Sequence, residues 1–214
     1  MAVLTAQSVE KFVQEVGGRR VLFLASGDHL TPAARDWLRN ADVEVRIKPS
    51  EKPEHMTHLR AGELVPKTHP VIAFRGMLDQ LQAEVLLCMQ AVPEQTAKDL
   101  RDVLAVLREV MRCQVLQEPW QERKICGLSM EQLRERSHEP EMYYGQDHFV
   151  PQGTDSVPLL RLNRLRTLIR RTELAACHGI PERLDLIRVL NRLSSLLWIM
   201  MIRMKKEASH GAGT

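Results

Sequence analysis

The chain has 214 residues, about one and a half domains at roughly 150 residues each, so one main domain with a small appendage is expected. Hydrophobic residues make up 44% and charged residues 27%, a balance that builds a core and excludes a disordered tail protein. The net charge of +3 is too small to draw nucleic acid by bulk attraction, and aromatics at 4% favour helices over a β-sandwich.

Four cysteines, Cys88, Cys113, Cys126 and Cys177, lie far apart with no C-x-x-C pair, which reads as reduced thiols in a cytoplasmic protein. The start, MAVLTAQSVEKF, shows no basic region followed by an apolar stretch, so no signal peptide is expected. The longest apolar run, Leu196–Ile202, is far below the ~20 residues that span a bilayer. Neither membrane nor nucleic acid is an expected partner.

In chain order, Ser8 is placed to cap a short helix through Val16, ended by Gly17-Gly18. RRVLFLAS (19–26) reads as a buried strand broken at Gly27-Asp28. Thr31-Pro32 opens a helix to Asn40, and DVEVRIK (42–48) alternates as a second strand. Residues 1–50 are thus a small strand–helix–strand segment, followed by a polar, proline-bearing linker over 51–69. From Pro70 the period turns helical: Met77, Leu78, Leu81, Val85, Met89 and Val92 form one stripe, closed by Pro93. Leu100, Val103, Leu104, Leu107, Val110, Met111 and Leu116 form another, ending before Pro119. Ser129 caps a short helix, 137–158 reads as a long irregular stretch, and helices are predicted over 158–178 and 181–206. The predicted fold is mainly α: a five-helix antiparallel bundle over 70–208, with a small N-terminal α/β appendage and a flexible tail at 209–214.

Arg166, Arg170 and Glu173 stand at i, i+4 and i+7, within about 60° on one helix face. Two guanidinium forks there can grip an oligophosphate while the carboxylate orients a hydroxyl or amine; a plain Arg170–Glu173 salt bridge is the alternative. On the next helix Asn191 shares a face with Leu184, Ile187, Ser194, Ser195 and Trp198. An amide among apolar neighbours must find partners, either on a facing helix or on a ligand. His138, Glu139, Glu141, Asp147 and His148 invite a metal reading, but their spacing fits no compact ligand motif. No Walker or Rossmann fingerprint occurs, and Ser26-Gly27-Asp28 is at most a weak phosphate-loop candidate beside a plain turn.

IRRTE followed by LNRLSS, with HFVPQG ahead of them, resembles the propanediol-utilisation type ATP:corrinoid adenosyltransferases. LTPAARDWL, MTHLRAGELVPKTHP, GLSMEQLRERSHEP, DHFVP and LNRLSSLLWIMMI resemble segments of the ethanolamine-utilisation cobalamin adenosyltransferases, and together they span most of the chain. The resemblance implies transfer of the 5′-deoxyadenosyl group of ATP, with Mg²⁺, to the cobalt of cob(I)alamin for a B12-dependent pathway. It implies a five-helix bundle assembled as a homotrimer with the active site between subunits. Arg166, Arg170, Glu173 and Asn191 match ATP-holding positions, Phe149 the aromatic residue under the corrin, and Asp79 and Arg171 further family positions; Asp79 is assigned to cobalamin. The family's Thr-, Gly- and Asp-rich phosphate loop has no clear counterpart, Thr57, His58 and Lys67 being nearest by order, so Thr57 and Lys67 stand as the expected ATP contacts within 51–69. Ser195 replaces the aspartate that ends LNRLSD. The cysteine-rich metal insertion of some relatives has no counterpart in SEKPEHMTHL, so no structural transition metal is expected. A cob(II)alamin reductase and a B12-dependent lyase are the implied protein partners, in the cytoplasm or a bacterial microcompartment. A non-catalytic assembly module of such a microcompartment is the rival reading, and RNA binding through LLRLNRLRTLIRR a third, disfavoured because that helix lacks interleaved aromatics.

Overall fold

The structure is a computed structural model that describes residues 3–25, 27–48, 52–60 and 62–211. The chain divides into two compact units, Met1–Glu54 and His55–Thr214.

The first unit holds β1 (Val3–Leu4), α1 (Ala6–Val9), a 3-10 turn (Glu10–Phe12), β2 (Val13–Val16), β3 (Arg19–Ala25), β4 (His29–Leu30), α2 (Pro32–Asn40) and β5 (Glu44–Lys48). β2, β3 and β5 form a sheet in that order, β2 antiparallel and β5 parallel to β3; β1 pairs with β4 in parallel. The helix expected to run from Ser8 to Val16 is corrected here. Thr5, not Ser8, is the N-cap, and the second half of the segment is strand. The reason lies in Gly17 and Gly18, whose φ of 59° and 76° make a two-residue hairpin turn, so Val13 and Val16 pair back onto β3. Thr31 caps α2 by accepting the Ala34 N–H at 3.3 Å, with Pro32 in the first turn. Leu22 and Leu24 from the sheet close on Val9, Ala34, Leu38 and Val43. Asp28 accepts the Ala25 N–H at 3.2 Å, the bond of a turn, and Ser26 lies outside the described residues.

The second unit opens with a hairpin, β6 (Met56–Arg60) and β7 (Glu63–Pro66), within the stretch read as linker. It continues with α3 (Pro70–Met89), α4 (Glu94–Leu116), α5 (Met130–His138), α6 (Pro140–Tyr144), α7 (Val157–Gly179) and α8 (Leu184–Gly211). Prolines stand in the first turns of α3, α6 and α7, where no amide hydrogen is needed. Ser129 caps α5 in a reciprocal box with Gln132. The α6 turn falls inside the segment read as wholly irregular; Pro140 and Gly145, with φ of 63°, bracket it. α8 begins at Leu184 rather than Pro181.

α8 is the central helix. Leu186, Val189, Leu190, Leu193, Leu197 and Met201 are all fully buried, in one core cluster that also holds Phe74 and Leu78 of α3, Leu107 of α4 and Ile169 of α7. That explains its Met-rich, nearly all-round apolar sequence. Each such leucine contributes about 1.5–3 kcal/mol by leaving water. Gly179 ends α7 against the start of α3, where an added Cβ would lie 2.8 Å from the Pro70 carbonyl oxygen. Arg75 holds the hairpin to the bundle, donating to the Leu59 carbonyl at 3.2 Å and to the buried Gln114 at 2.7 Å.

Candidate functional site

The one-face spacing on α7 meets its partner on α8. Glu173 accepts a 2.9 Å hydrogen bond from Asn191 Nδ2, and Asn191 Oδ1 accepts Arg192 Nη1 at 2.9 Å. The Arg170–Glu173 salt bridge does not form: the carboxylate is used by the amide, and neither Arg166 nor Arg170 has an ion-pair partner among the described residues. Two neighbouring guanidiniums, Arg166 half-buried and Arg170 exposed, therefore stand without a counter-charge among the described residues.

Arg166 is the more confined of the two. Its guanidinium lies 5.4 Å from the Trp198 ring centre and makes one long contact, 3.4 Å, with Asn163 Oδ1. Its Nε–H is buried with no acceptor. Burial, followed by the Arg170 charge, presses its pKa below the ordinary arginine value. A half-buried cation without an acid beside it is costly unless something anionic arrives. Arg166, Arg170, Ser137, Ser194, Ser195 and Trp198 line an open cleft of about 130 Å³.

Phe149, from the segment between α6 and α7, stacks on the cleft residue Trp198, its ring 5.1 Å from the indole and inclined by 23°. The neighbouring His148 accepts the indole N–H on Nδ1 at 3.2 Å. Its Nε2 lies 3.2 Å from the His138 carbonyl, which can only accept, so the ring is the neutral Nε2–H tautomer. Lys205 sits 5.6 Å from the Phe149 ring centre and pairs with Asp155 at 2.5 Å. The Gln152 N–H, ahead of Lys205, holds the Asp155 carboxyl below its usual range. The segment that carries Phe149 is thus pinned on both sides.

The remaining sequence-predicted residues lie elsewhere. Thr57 and His58 are on β6, Lys67 follows β7 with its N–H on the His55 carbonyl, and Asp79 and Arg171 are exposed on α3 and α7. None of these lines the cleft. Among the described residues no group of three or more His, Cys, Asp or Glu is placed to hold a metal ion. His138 and His148 spend ring nitrogens on backbone and indole instead. Cys88 and Cys113 are buried, Cys126 half-buried and Cys177 exposed, all as free thiols. Burial pushes the Cys126 thiol up to about 12 and the Cys88 thiol to about 11, so neither is a nucleophile near neutrality.

The sequence places Trp198 on the Asn191 face without indicating its role. Its position seven residues on, two helical turns, is the available signal. Ser137 has no signal of its own; it enters because α5 packs on α8.

The profile of the cobalamin adenosyltransferase family matches residues 47–204. Corrinoid adenosyltransferase EutT of Escherichia coli is 36% identical over 159 residues, 72% of this chain and 60% of the relative. The EutT of Salmonella typhimurium is 34% identical over 158 residues, 71% and 59% of the two chains. The match thus spans about three fifths of the length of these curated relatives. A variant PduO-type ATP:corrinoid adenosyltransferase from Lactobacillus reuteri, complexed with cobalamin and ATP, superposes with a TM-score of 0.59 at 15% identity, covering 72% of this chain and 90% of that one. Another variant from the same organism, complexed with ATP, gives 0.54 at 17% identity over 71% and 89%. These two share the bundle fold. Among the described residues no helix is long and apolar enough to cross a membrane. The family profile spans well over half of the sequence, and the chain belongs to the cobalamin adenosyltransferase family.

Proposed function

We propose that this chain transfers the 5′-deoxyadenosyl group of ATP to the cobalt of cob(I)alamin, forming adenosylcobalamin. The observation that carries the reading is the unneutralised Arg166–Arg170 pair beside the Glu173–Asn191 bond, in a cleft lined by Trp198, on which the Phe149 ring stacks. Arg166 and Arg170 take the triphosphate of Mg²⁺–ATP, and Glu173 and Asn191 orient the nucleoside. Thr57 and Lys67, from the hairpin unit, complete the ATP contacts when a second copy of the chain is apposed, and Asp79 belongs to the corrinoid side. Assembly is as a homotrimer with the site shared between subunits, as the family resemblance implies.

In the reaction, cobalt of cob(I)alamin attacks C5′ with an electron pair, the C5′–O bond breaks, and its electrons leave on the phosphate oxygen. The reactive metal is the substrate's own; the protein supplies binding, orientation and field. The two guanidiniums stabilise the charge that grows on the leaving oxygen. Phe149 keeps water and the lower axial ligand from the corrin face, which lowers the energy needed to reach the cob(I) state. The product serves a B12-dependent lyase of the ethanolamine-utilisation kind, with a cob(II)alamin reductase upstream, in the cytoplasm or a microcompartment.

Anaerobic incubation of the protein with ATP, Mg²⁺ and chemically reduced cobalamin tests this, followed optically for the cobalt–carbon product. Growth of that product in an ATP-dependent manner is expected. No product with ATP, while ATP still binds, would assign the cleft to a non-transferring role.

A further inference from the structure

We propose that Trp198 is a positioning residue whose single indole sets both the Arg166 guanidinium and the Phe149 ring, so that the phosphate grip and the apolar wedge are held by one side chain. The inference rests on the adenosyl-transfer reading for what Arg166 and Phe149 do, but not for how they are held.

Three observations converge on the indole. First, among the described residues Arg166 has neither a carboxylate partner nor an acceptor for its buried Nε–H, and Asn163 is distant at 3.4 Å. The face of Trp198, 5.4 Å away, is what remains to fix the guanidinium plane, and it does so without neutralising the charge. A carboxylate in that place would hold Arg166 more tightly and cancel its attraction for phosphate. Second, Phe149 belongs to a segment without regular structure, and its ring rests on the same indole at 5.1 Å. Third, the indole is itself locked. Its N–H donates to His148 Nδ1, and His148 donates from Nε2 to the His138 carbonyl at the end of α5. Trp198 stands on α8 between the buried Leu197 and Ile199. A phenylalanine here would offer the faces but not the N–H. A leucine would offer neither.

The roles separate cleanly by substitution in the full chain. Trp198→Leu removes both holds, Trp198→Phe keeps the aromatic faces, and His148→Phe removes the acceptor of the indole N–H together with the Nε2–H bond to the His138 carbonyl while keeping a ring beside the indole. Each variant is first compared with the parent by helical circular dichroism and thermal midpoint. Three readouts follow: amide hydrogen exchange of residues 146–155 in the ligand-free protein, affinity for ATP and for inorganic triphosphate, and the absorbance spectrum of bound cob(II)alamin, which reports loss of the axial ligand. Trp198→Leu is expected to speed loop exchange, weaken triphosphate and ATP binding about tenfold, and return cob(II)alamin to its axially ligated spectrum. His148→Phe is expected to speed loop exchange and shift the cobalamin spectrum while ATP affinity stays at the parent value. Trp198→Phe should retain ATP affinity within about threefold of the parent. A folded Trp198→Leu protein with parental loop exchange and parental triphosphate affinity would overturn the proposal. So would a His148→Phe protein that loses ATP affinity as severely as Trp198→Leu, since that is the mark of general loosening. If the parent binds triphosphate but forms no adenosylcobalamin, the transfer reading fails alone, and loop exchange with triphosphate affinity still decides the positioning role.

Discussion

Arg183 and Arg166 belong to the same helical unit and both lose much of their water, yet their donors end differently. Arg183, just before α8, gives Nε and Nη2 to the two oxygens of Asp185 at 3.0 and 2.8 Å, Nη1 to the Cys113 carbonyl at 3.2 Å, and Nη2 also to the Glu118 carbonyl at 2.8 Å. It closes the last turn of α4 and the first turn of α8 into one knot, and Asp185 adds the Trp120 N–H at 3.0 Å. Arg166 has an aromatic face, one long contact and an orphaned Nε. The pKa directions tell the same story: the Asp185 hydrogen bond raises Arg183, whereas burial lowers Arg166. An arginine whose forks are full is holding the fold together. One left desolvated and unmatched is waiting for an anion.

That contrast breaks most sharply at Arg170, the exposed partner of Arg166. Arg170→Ala is expected to lower kcat/KM for adenosyl transfer by about 10²–10³, or 3–4 kcal/mol, with the thermal midpoint unchanged. Arg170→Lys should recover little, because an ammonium cannot reproduce the planar fork. Activity within a few-fold of the parent would remove Arg170 from the phosphate grip. Arg183→Ala should do the reverse: a loss of about 2–3 kcal/mol in denaturant unfolding with activity per folded molecule retained. An unfolding midpoint unmoved in that variant would dissolve the distinction from its other side.

Much of the fold and of the cleft is legible in the amino-acid sequence, and what is not has physical causes. The helices α3, α4, α5 and α7 announce themselves through caps and prolines: Pro70, Pro93, Ser129 and Pro158 stand at or next to their starts. The Arg166–Arg170–Glu173 face follows from the 3.6-residue period alone, and its meeting with Asn191 from the short connection between α7 and α8. The strand Val13–Val16 is hidden because its length and polarity also suit a helix, and only pairing with β3 decides. The hairpin Met56–Pro66 carries a bulge between His58 and Arg60 that spoils a clean alternation. Trp198 can be placed on a helix face, but its contacts with His148 and Phe149 cross 50 and 49 residues of chain, and no local pattern encodes such a closure.

Asn191 sharpens the comparison at a smaller scale, since its amide has partners yet sits at the cleft side of α8. Asn191→Leu frees Glu173 Oε1 and Arg192 Nη1, both on half-buried residues that water can reach. Stability should change by no more than about 1 kcal/mol. ATP affinity is expected to fall about tenfold, because the carboxylate loses the group that orients it. Calorimetric titration with unchanged nucleotide binding would make the Asn191–Glu173 bond a purely structural one.

The smallest effect expected is a difference in acid sensitivity, and it isolates the filled arginine from the unfilled one. The Arg183 guanidinium, helped by the Trp120 and Leu186 amide hydrogens, lowers the Asp185 carboxyl to about 2, against a usual 3.8. The unfolded chain therefore binds a proton at Asp185 at higher pH than the folded one does. The stabilisation from this group is complete above the unfolded value and is lost as pH falls from near 3.8 through about 2. Asp185→Asn removes it, so the variant should be less stable at neutral pH, by about 1 kcal/mol, and should approach the parent as the solution is acidified. Asp99, raised by burial, slopes the opposite way, so the difference between parent and variant is the quantity to follow, not either curve alone. Arg166 contributes no such slope, because a guanidinium stays charged across this range whatever its burial. Thermal midpoints of the two proteins between pH 7 and about 2.5 decide it: converging curves place the acid-labile knot at Arg183–Asp185, and parallel curves would show that the filled fork contributes nothing that protonation can remove.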